Sequence, residues 1–226
     1  MGKAYNQDKN RWEGRQLPVI CVTGPMAAGK NLASDILASK GWACVDADKV
    51  AHKALDLLKD EIVALHSEKA QKLGIQLVNQ DGSLNRRGIG VLVFDDELAL
   101  QRHEALVHPM VERLLEDFVA EHPEEPVVIN ATVLYKTHIL NKCDAILFID
   151  APMILRFFRA RNRDHMAAKQ ILSRFRSQFG IFAKYKNSNA DIYRVWNLRT
   201  PYILERKLER IVTRWNKRKY CGLLQV

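Results

Sequence analysis

Apolar positions along this chain fall into two alternating patterns. Val19 to Val22 is a short β-branched run inside a segment that begins near Leu17, long enough for a strand buried on both faces. The runs from Pro126 to Ile129 and from Ala145 to Ile149 read the same way, and Trp42 to Val45 and Ile192 to Trp196 are shorter strand candidates. Between these runs the apolar residues recur at helical spacing. Leu32, Ala33, Ile36 and Leu37 share one face of a helix from Lys30 to Lys40, and Gly41 follows where a left-handed cap belongs. Leu55, Leu58, Ile62 and Leu65 mark a mostly helical stretch from Val50 to Leu73 that Gly74 stops. The cluster from Asn79 to Ser83 predicts a turn, and a helix from Arg86 to Phe94 comes next. Asp95 or Asp96 is placed to cap a helix that ends near His108, because Pro109 follows. Met110, Val111, Leu114, Leu115 and Phe118 then form one face of a separate helix from Met110 to Ala120. A short helix between Leu134 and Cys143, a basic helix from Met153 to Arg161, a basic loop or helix from Asp164 and a last helix from Pro201 to Trp215 complete the pattern. Five strands alternating with helices predict an α/β fold: a three-layer α/β/α domain around a central parallel sheet, with ligands at the strands' carboxyl ends.

Bulk properties narrow this picture modestly. A chain of 226 residues, 47% hydrophobic, suits one globular domain with a sizeable core. No apolar run approaches the ~20 residues that span a bilayer, so no membrane role is expected. Residues 1–16 are polar and charged, without the apolar centre of a secretory signal, and read as a flexible tail before a single domain over 17–226. Met1-Gly2 opens an acylation-like motif, but Asn6 stands where Ser or Thr is preferred. Cys21, Cys44, Cys143 and Cys221 lack metal-ligand spacing. Buried thiols in a reducing cytoplasm are the reading that fits. The net charge of +9 fits a solvated surface, a pocket for polyanions or a nucleic-acid partner.

Chemistry enters at the end of the first strand. Gly24, Pro25, Met26, Ala27, Ala28, Gly29, Lys30, Asn31 and Leu32 carry the phosphate-binding spacing G-x-x-x-x-G-K-[ST], in its strand-to-helix setting. The two glycines let the backbone curl so that its N–H groups converge, and the helix N-terminus adds positive charge. Lys30 can reach the β- and γ-phosphates. Asn31 replaces the Ser or Thr whose hydroxyl binds magnesium.

The order of later signals resembles the dephospho-coenzyme A kinase family. That family's loop reads G-G-I-G-S-G-K-S-T, and its I-D-A-D-x-I-A-H is similar to the run from Val45 through Asp46, Ala47 and Asp48 to His52. Its D-G-x-L-N-R resembles the run from Asp81 to Arg86, its V-F and H-P landmarks Val93-Phe94 and His108-Pro109. The lid pattern R-x-x-x-R-D resembles Arg159 to Asp164, and a late A-D resembles Ala190-Asp191. The likeness spans roughly Pro18 to Trp196. It departs at Asn31, and where the family's D-V-P-L-L-F-E meets the run from Asn130 to Lys136, with an amide and a lysine at the acidic ends. The family's late Asn-Gly pair is not kept around Trp196-Asn197.

The resemblance implies a phosphate-loop nucleotide-kinase fold with a helical substrate-binding region over about 50–125 and a lid over about 159–185. It also implies transfer of the ATP γ-phosphoryl group to the ribose 3′-hydroxyl of dephospho-coenzyme A, in the last step of coenzyme A synthesis, with ATP and Mg2+ required. Such chemistry needs positioning and charge neutralisation. Lys30, Arg159 and Arg163 would neutralise the phosphates, the two arginines closing as a lid from one helical face. Asp48 is the candidate base for the hydroxyl. Asp46, two residues away on the same side of an extended chain, can support magnesium through water, with Asn31 as a second oxygen ligand. His52, Arg86, His108 and Asp46 are the substrate-side candidates, and Asn31→Ser or Asn31→Thr is expected to raise kcat. Rival readings are a kinase of another nucleotide or nucleoside, with Lys136 and Asn130 altering the acceptor, and a weakened nucleotide- or nucleic-acid-binding homologue. The latter draws on the basic run Arg206-Lys207, Arg210, Arg214 and Lys217-Arg218-Lys219, but no stacking-aromatic platform accompanies it, so nucleic acid is not the expected partner. A monomer or small homo-oligomer is expected.

Overall fold

The computed structural model describes Trp12, residues 15–164, 167–186, Ser188, residues 190–198 and residues 200–219. The rest of the 1–16 tail with its Met1-Gly2 pair, His165 and Cys221 lie outside the described residues, as do the side chains of Asp164, Lys217, Arg218 and Lys219. The strands are β1 (Val19–Thr23), β2 (Ala43–Asp46), β3 (Val127–Asn130), β4 (Ala145–Asp150) and β5 (Asp191–Trp196). The helices are, in chain order, α1 (Lys30–Ala38), α2 (Ala47–Leu57), α3 (Lys59–Leu73), α4 (Arg86–Phe94), α5 (Glu97–Glu121), α6 (Ile139–Lys142), α7 (Met153–Asp164), α8 (Ala168–Ser177), α9 (Ile181–Lys186) and α10 (Pro201–Lys219). Two compact units result: Met1–Asp46 with Phe118–Val226, and Ala47–Asp117.

The first unit holds the sheet. Its order is β2-β3-β1-β4-β5, and every pairing is parallel. Both faces are covered, which explains why β1, β3 and β4 are buried along their whole length. On one face Ala33 and Leu37 of α1 and Leu204, Leu208 and Val212 of α10 pack against strand residues such as Val22. On the other, the Phe148 ring of β4 meets Phe182 and Tyr185 of α9 at centroid distances of 4.8 and 6.3 Å. Lys40 ties the end of α1 to α10 through Glu205 and Glu209, at 3.3 and 2.9 Å. Arg15, at the edge of the predicted tail, donates to the carbonyls of Val119 and His122 at 3.0 and 2.8 Å and to that of Glu125, a cation at the end of α5.

β1 and β3 are neighbours that leave the sheet in opposite directions, β1 through α1 to β2 and β3 across to β4. A crevice at their carboxyl ends is where open α/β sheets take ligands. Each of the first four strands runs one residue past its apolar run, to Thr23, Asp46, Asn130 and Asp150. Hydrophobicity alone therefore ends those strands short, and the residues it omits are polar and sit at the strands' carboxyl ends.

The second unit is helical. Asn85 caps α4 by accepting from the Gly88 N–H at 2.9 Å. Asp96, not Asp95, caps α5 through the Ala99 N–H at 3.0 Å, and Lys69 of α3 pairs with Asp96 at 2.7 Å. The sequence expectation of a helix break before Pro109 is corrected here, because α5 runs unbroken across it. A proline inside a helix costs about 3 kcal/mol. Val107, Val111, Leu115 and Val119 nevertheless stay buried at four-residue spacing through the break point. The continuing apolar face outweighs one missing hydrogen bond.

Candidate active site

The loop after β1 is built from backbone conformations that most residues resist. Gly24 has φ 147°, and a Cβ there would sit 2.0 Å from the carbonyl oxygen of Ile149. Gly29, just before α1, has φ 103°, and a Cβ would sit 2.2 Å from Nδ2 of Asn197. Both glycines are required by space as well as by φ. Ala27 is left-handed too, at φ 59°, where the resembling family carries glycine; an alanine there stores about 1–2 kcal/mol of strain.

Asn197 supports the loop from beneath. It is buried, its backbone N–H donates to the Asp150 carbonyl at 2.7 Å, and its Nδ2 donates to the Ala28 carbonyl at 2.9 Å. The Arg159 Nη2 donates to the Asn197 carbonyl at 3.2 Å. Asn197 thus joins the end of β5, the loop and α7 at one point. Gln178, at the end of α8, accepts the Met26 N–H at 2.7 Å. Pro25 has no N–H, so this is the first amide donor after Gly24. Phe175 and Ile171 of α8 and Ala160 of α7 form a small buried cluster on which Met26 and Ala27 pack. The α7–α8 segment therefore lies against the loop.

Lys30 opens α1 and is half-buried. Burial pushes the Cys21 thiol far up, and the charge of Lys30 opposes that shift. Asn31 is engaged: its Oδ1 accepts from Nδ2 of Asn130 at 3.0 Å. Asn130 is buried at the end of β3 and is the register partner of Asp46 at the end of β2. Asp46, Asn130 and Asn31 give an oxygen set with a single carboxylate. Magnesium suits it, because that ion keeps several waters and binds through one or two carboxylates plus substrate phosphates. Among the described residues no group of three or more His, Cys, Asp or Glu side chains is arranged to hold a metal.

The expected relation between Asp46 and Asp48 is corrected. Asp46 closes β2, but Ala47 starts α2, so Asp48 lies in a first helical turn and not on an extended chain. Strand alternation no longer puts the two carboxylates on one side; an acidic residue in a first turn is instead favoured by the helix dipole. Asp48 and His52 are exposed. Arg86 donates through Nη2 to both oxygens of Asp56, at 2.9 and 2.8 Å, within the helical unit. His108 is half-buried in α5 near His103. Arg159 and Arg163 both lie on α7; Arg159 bonds the Asn197 carbonyl beneath the loop, and Arg163 is exposed. Lys136 is exposed at the end of a short 3-10 turn, Leu134–Lys136. In α10, Lys207 donates to the Trp196 carbonyl at 2.6 Å and Arg206 lies over the Tyr202 ring, so part of the basic run serves the fold.

Reading the sequence alone missed the roles of Asn197 and Gln178, which hold the loop through Ala28 and Met26.

Known proteins are similar to this chain in sequence and fold. Residues 18–197 match the family model described as dephospho-CoA kinase. A dephospho-CoA kinase of Treponema denticola is 40% identical over 194 residues, covering 84% of this chain and 86% of that one. One of Treponema pallidum is 38% identical over 200 residues, 87% of this chain and 95% of its own. A crystal structure of a Thermus thermophilus protein superposes with a TM-score of 0.75 at 27% identity, covering 88% of this chain and 98% of that one. The dephospho-CoA kinase of Campylobacter jejuni shares the fold at a TM-score of 0.58 and 22% identity, over 88% of this chain and 97% of its own.

Proposed function

The chain belongs to the dephospho-CoA kinase family, and from that premise we propose how its residues divide the work. It is a kinase that uses ATP to phosphorylate dephospho-coenzyme A in coenzyme A synthesis. The acceptor is the ribose 3′-hydroxyl. The loop Gly24–Lys30 binds the nucleotide phosphates through its backbone N–H groups, and Lys30 offsets charge on the β–γ bridge. Arg159 acts from the lid, held by the Asn197 carbonyl, with Arg163 farther along the same helix. Asp48 accepts the proton of the attacking hydroxyl. His52, Arg86 and His108 belong to the acceptor side, in the helical unit Ala47–Asp117. Magnesium would be held by Asp46, with Asn31 as a neutral oxygen neighbour, and supplies neutralisation of phosphate charge when bound. Free thiols at Cys21, Cys44 and Cys143 suit a cytoplasmic enzyme.

One observation carries the reading: the loop's two glycines hold conformations and clearances that no other residue tolerates, over a buried asparagine whose side chain bonds the loop backbone at Ala28. The test is ADP release with ATP and dephospho-coenzyme A, run beside Lys30→Ala and Asp48→Asn. Each variant is expected to lose about 10²–10⁴-fold in kcat. Wild-type turnover no faster than that of the variants would overturn the catalytic assignment.

A further inference from the structure

Arg156 is a basic residue of α7 to which the reading above gives no task. Its guanidinium stacks on the Phe175 ring, Cζ 4.5 Å from the centroid. Phe175 belongs to the cluster against which Met26 and Ala27 of the loop pack, and Gln178, three residues on, holds the Met26 N–H. Arg156 thus stacks on a ring of the cluster that the loop packs against. Its Nε and Nη1 are buried without a hydrogen-bond partner among the described residues, and so is Nη1 of Arg159, one helical turn away.

Such donors are expensive to leave unmade, more so on a charged group. The neighbouring carboxylate does not satisfy them. Asp150 accepts from Nε and Nη2 of Arg194 and from the Ala151 N–H. Its charge opposes the downward push that burial gives the Arg156 pKa without supplying a bond. Stacking on an aromatic face fixes the guanidinium plane and leaves the in-plane N–H groups to an outside acceptor.

We propose that Arg156 is a second phosphate-contacting arginine of α7, which with Arg159 receives the polyphosphate of the nucleotide when it occupies the loop. This rests on the loop being the nucleotide phosphate site. It gives Arg159 a partner about one turn toward the start of α7, whereas Arg163 lies about one turn beyond it.

Calorimetric titration with ATP, adenosine and dephospho-coenzyme A tests it in the wild type, Arg156→Gln, Arg156→Lys and Lys30→Ala. Arg156→Gln is expected to raise Kd for ATP about tenfold or more while leaving adenosine unchanged. Arg156→Lys keeps the charge and the apolar stem but loses the fork, and should fall between wild type and Arg156→Gln. Unchanged ATP affinity in the lysine and glutamine variants overturns the proposal. So does an equal loss for adenosine, which marks a packing role, and so does a loss confined to dephospho-coenzyme A, which moves the contact to the acceptor's pyrophosphate. If Arg156→Gln does not fold, Arg156→Lys decides alone by the same comparison. Lys30→Ala keeps the two readings apart: ATP binding as in wild type there means the loop assignment fails, whatever Arg156 does.

Discussion

The Asn31–Asn130 bond changes what a substitution at residue 31 should do. From the sequence alone, serine at 31 restores a magnesium ligand and speeds the enzyme. In the structure Asn31 supplies the acceptor for a buried amide at the end of β3. Asn31→Ser shortens the side chain and leaves that donor unmade, at about 1–3 kcal/mol. We expect the single variant to unfold at lower urea with no gain in kcat. Adding Asn130→Asp gives the serine hydroxyl a carboxylate to bond, and the double variant should recover stability by at least about 0.5 kcal/mol beyond additivity. Additive urea midpoints would show that the two amides are not coupled. The loop residues themselves were legible, because their spacing encodes backbone conformation directly. Asn197 and Gln178 were not, since they act on the loop from 169 and 152 residues away. No local pattern reports a partner at that distance.

At the scale of elements, strands and helices were read nearly to their ends wherever one periodicity ruled. The misses share a cause. Strand ends were polar, and α5 carries a breaker that its own apolar face overrides. Pro109 is exposed, so the ring contributes little packing while its helix forgoes one hydrogen bond. Pro109→Ala is therefore expected to stabilise the protein by about 1–3 kcal/mol, seen as a higher urea midpoint with an unchanged slope. A lower midpoint would mean that the helix depends on the bend. Asn197→Ala should act in the opposite direction. It strips the acceptor at Ala28 of its donor and should cost about 1–3 kcal/mol, with weaker ATP binding by titration.

For the whole molecule, acid sensitivity is expected to come from the helical unit rather than from the loop. His66 Nε2 and His103 Nδ1 lie 3.1 Å apart, a spacing that one shared hydrogen satisfies and two protonated rings do not. Burial lowers both pKa values; Lys69 adds to the effect at His66, and His66 and His108 add to it at His103, where Glu104 opposes. The unfolded rings, near 6.5, take up protons before the folded ones do. Stability is thus full above that value and is lost as pH falls below it. Urea midpoints at about pH 7.5 and about pH 5.5 should differ in wild type and converge in His66→Leu with His103→Leu. A wild-type midpoint that does not move would assign acid sensitivity elsewhere.

The support beneath Gly29 has a consequence for how the protein is made. The loop is encoded near the start of the chain, but its strand waits for β3 at residue 127 and β4 at residue 145, and its underside waits for Asn197. A ribosome delivers these in order, over tens of seconds at most at ~5–20 residues per second. Nascent chains that stop short of Asn197 carry a complete motif and an unfinished cradle. ATP should shield them poorly from protease and protect the chain once that asparagine has emerged. Nucleotide binding then follows the emergence of residue 197 rather than the first folded step.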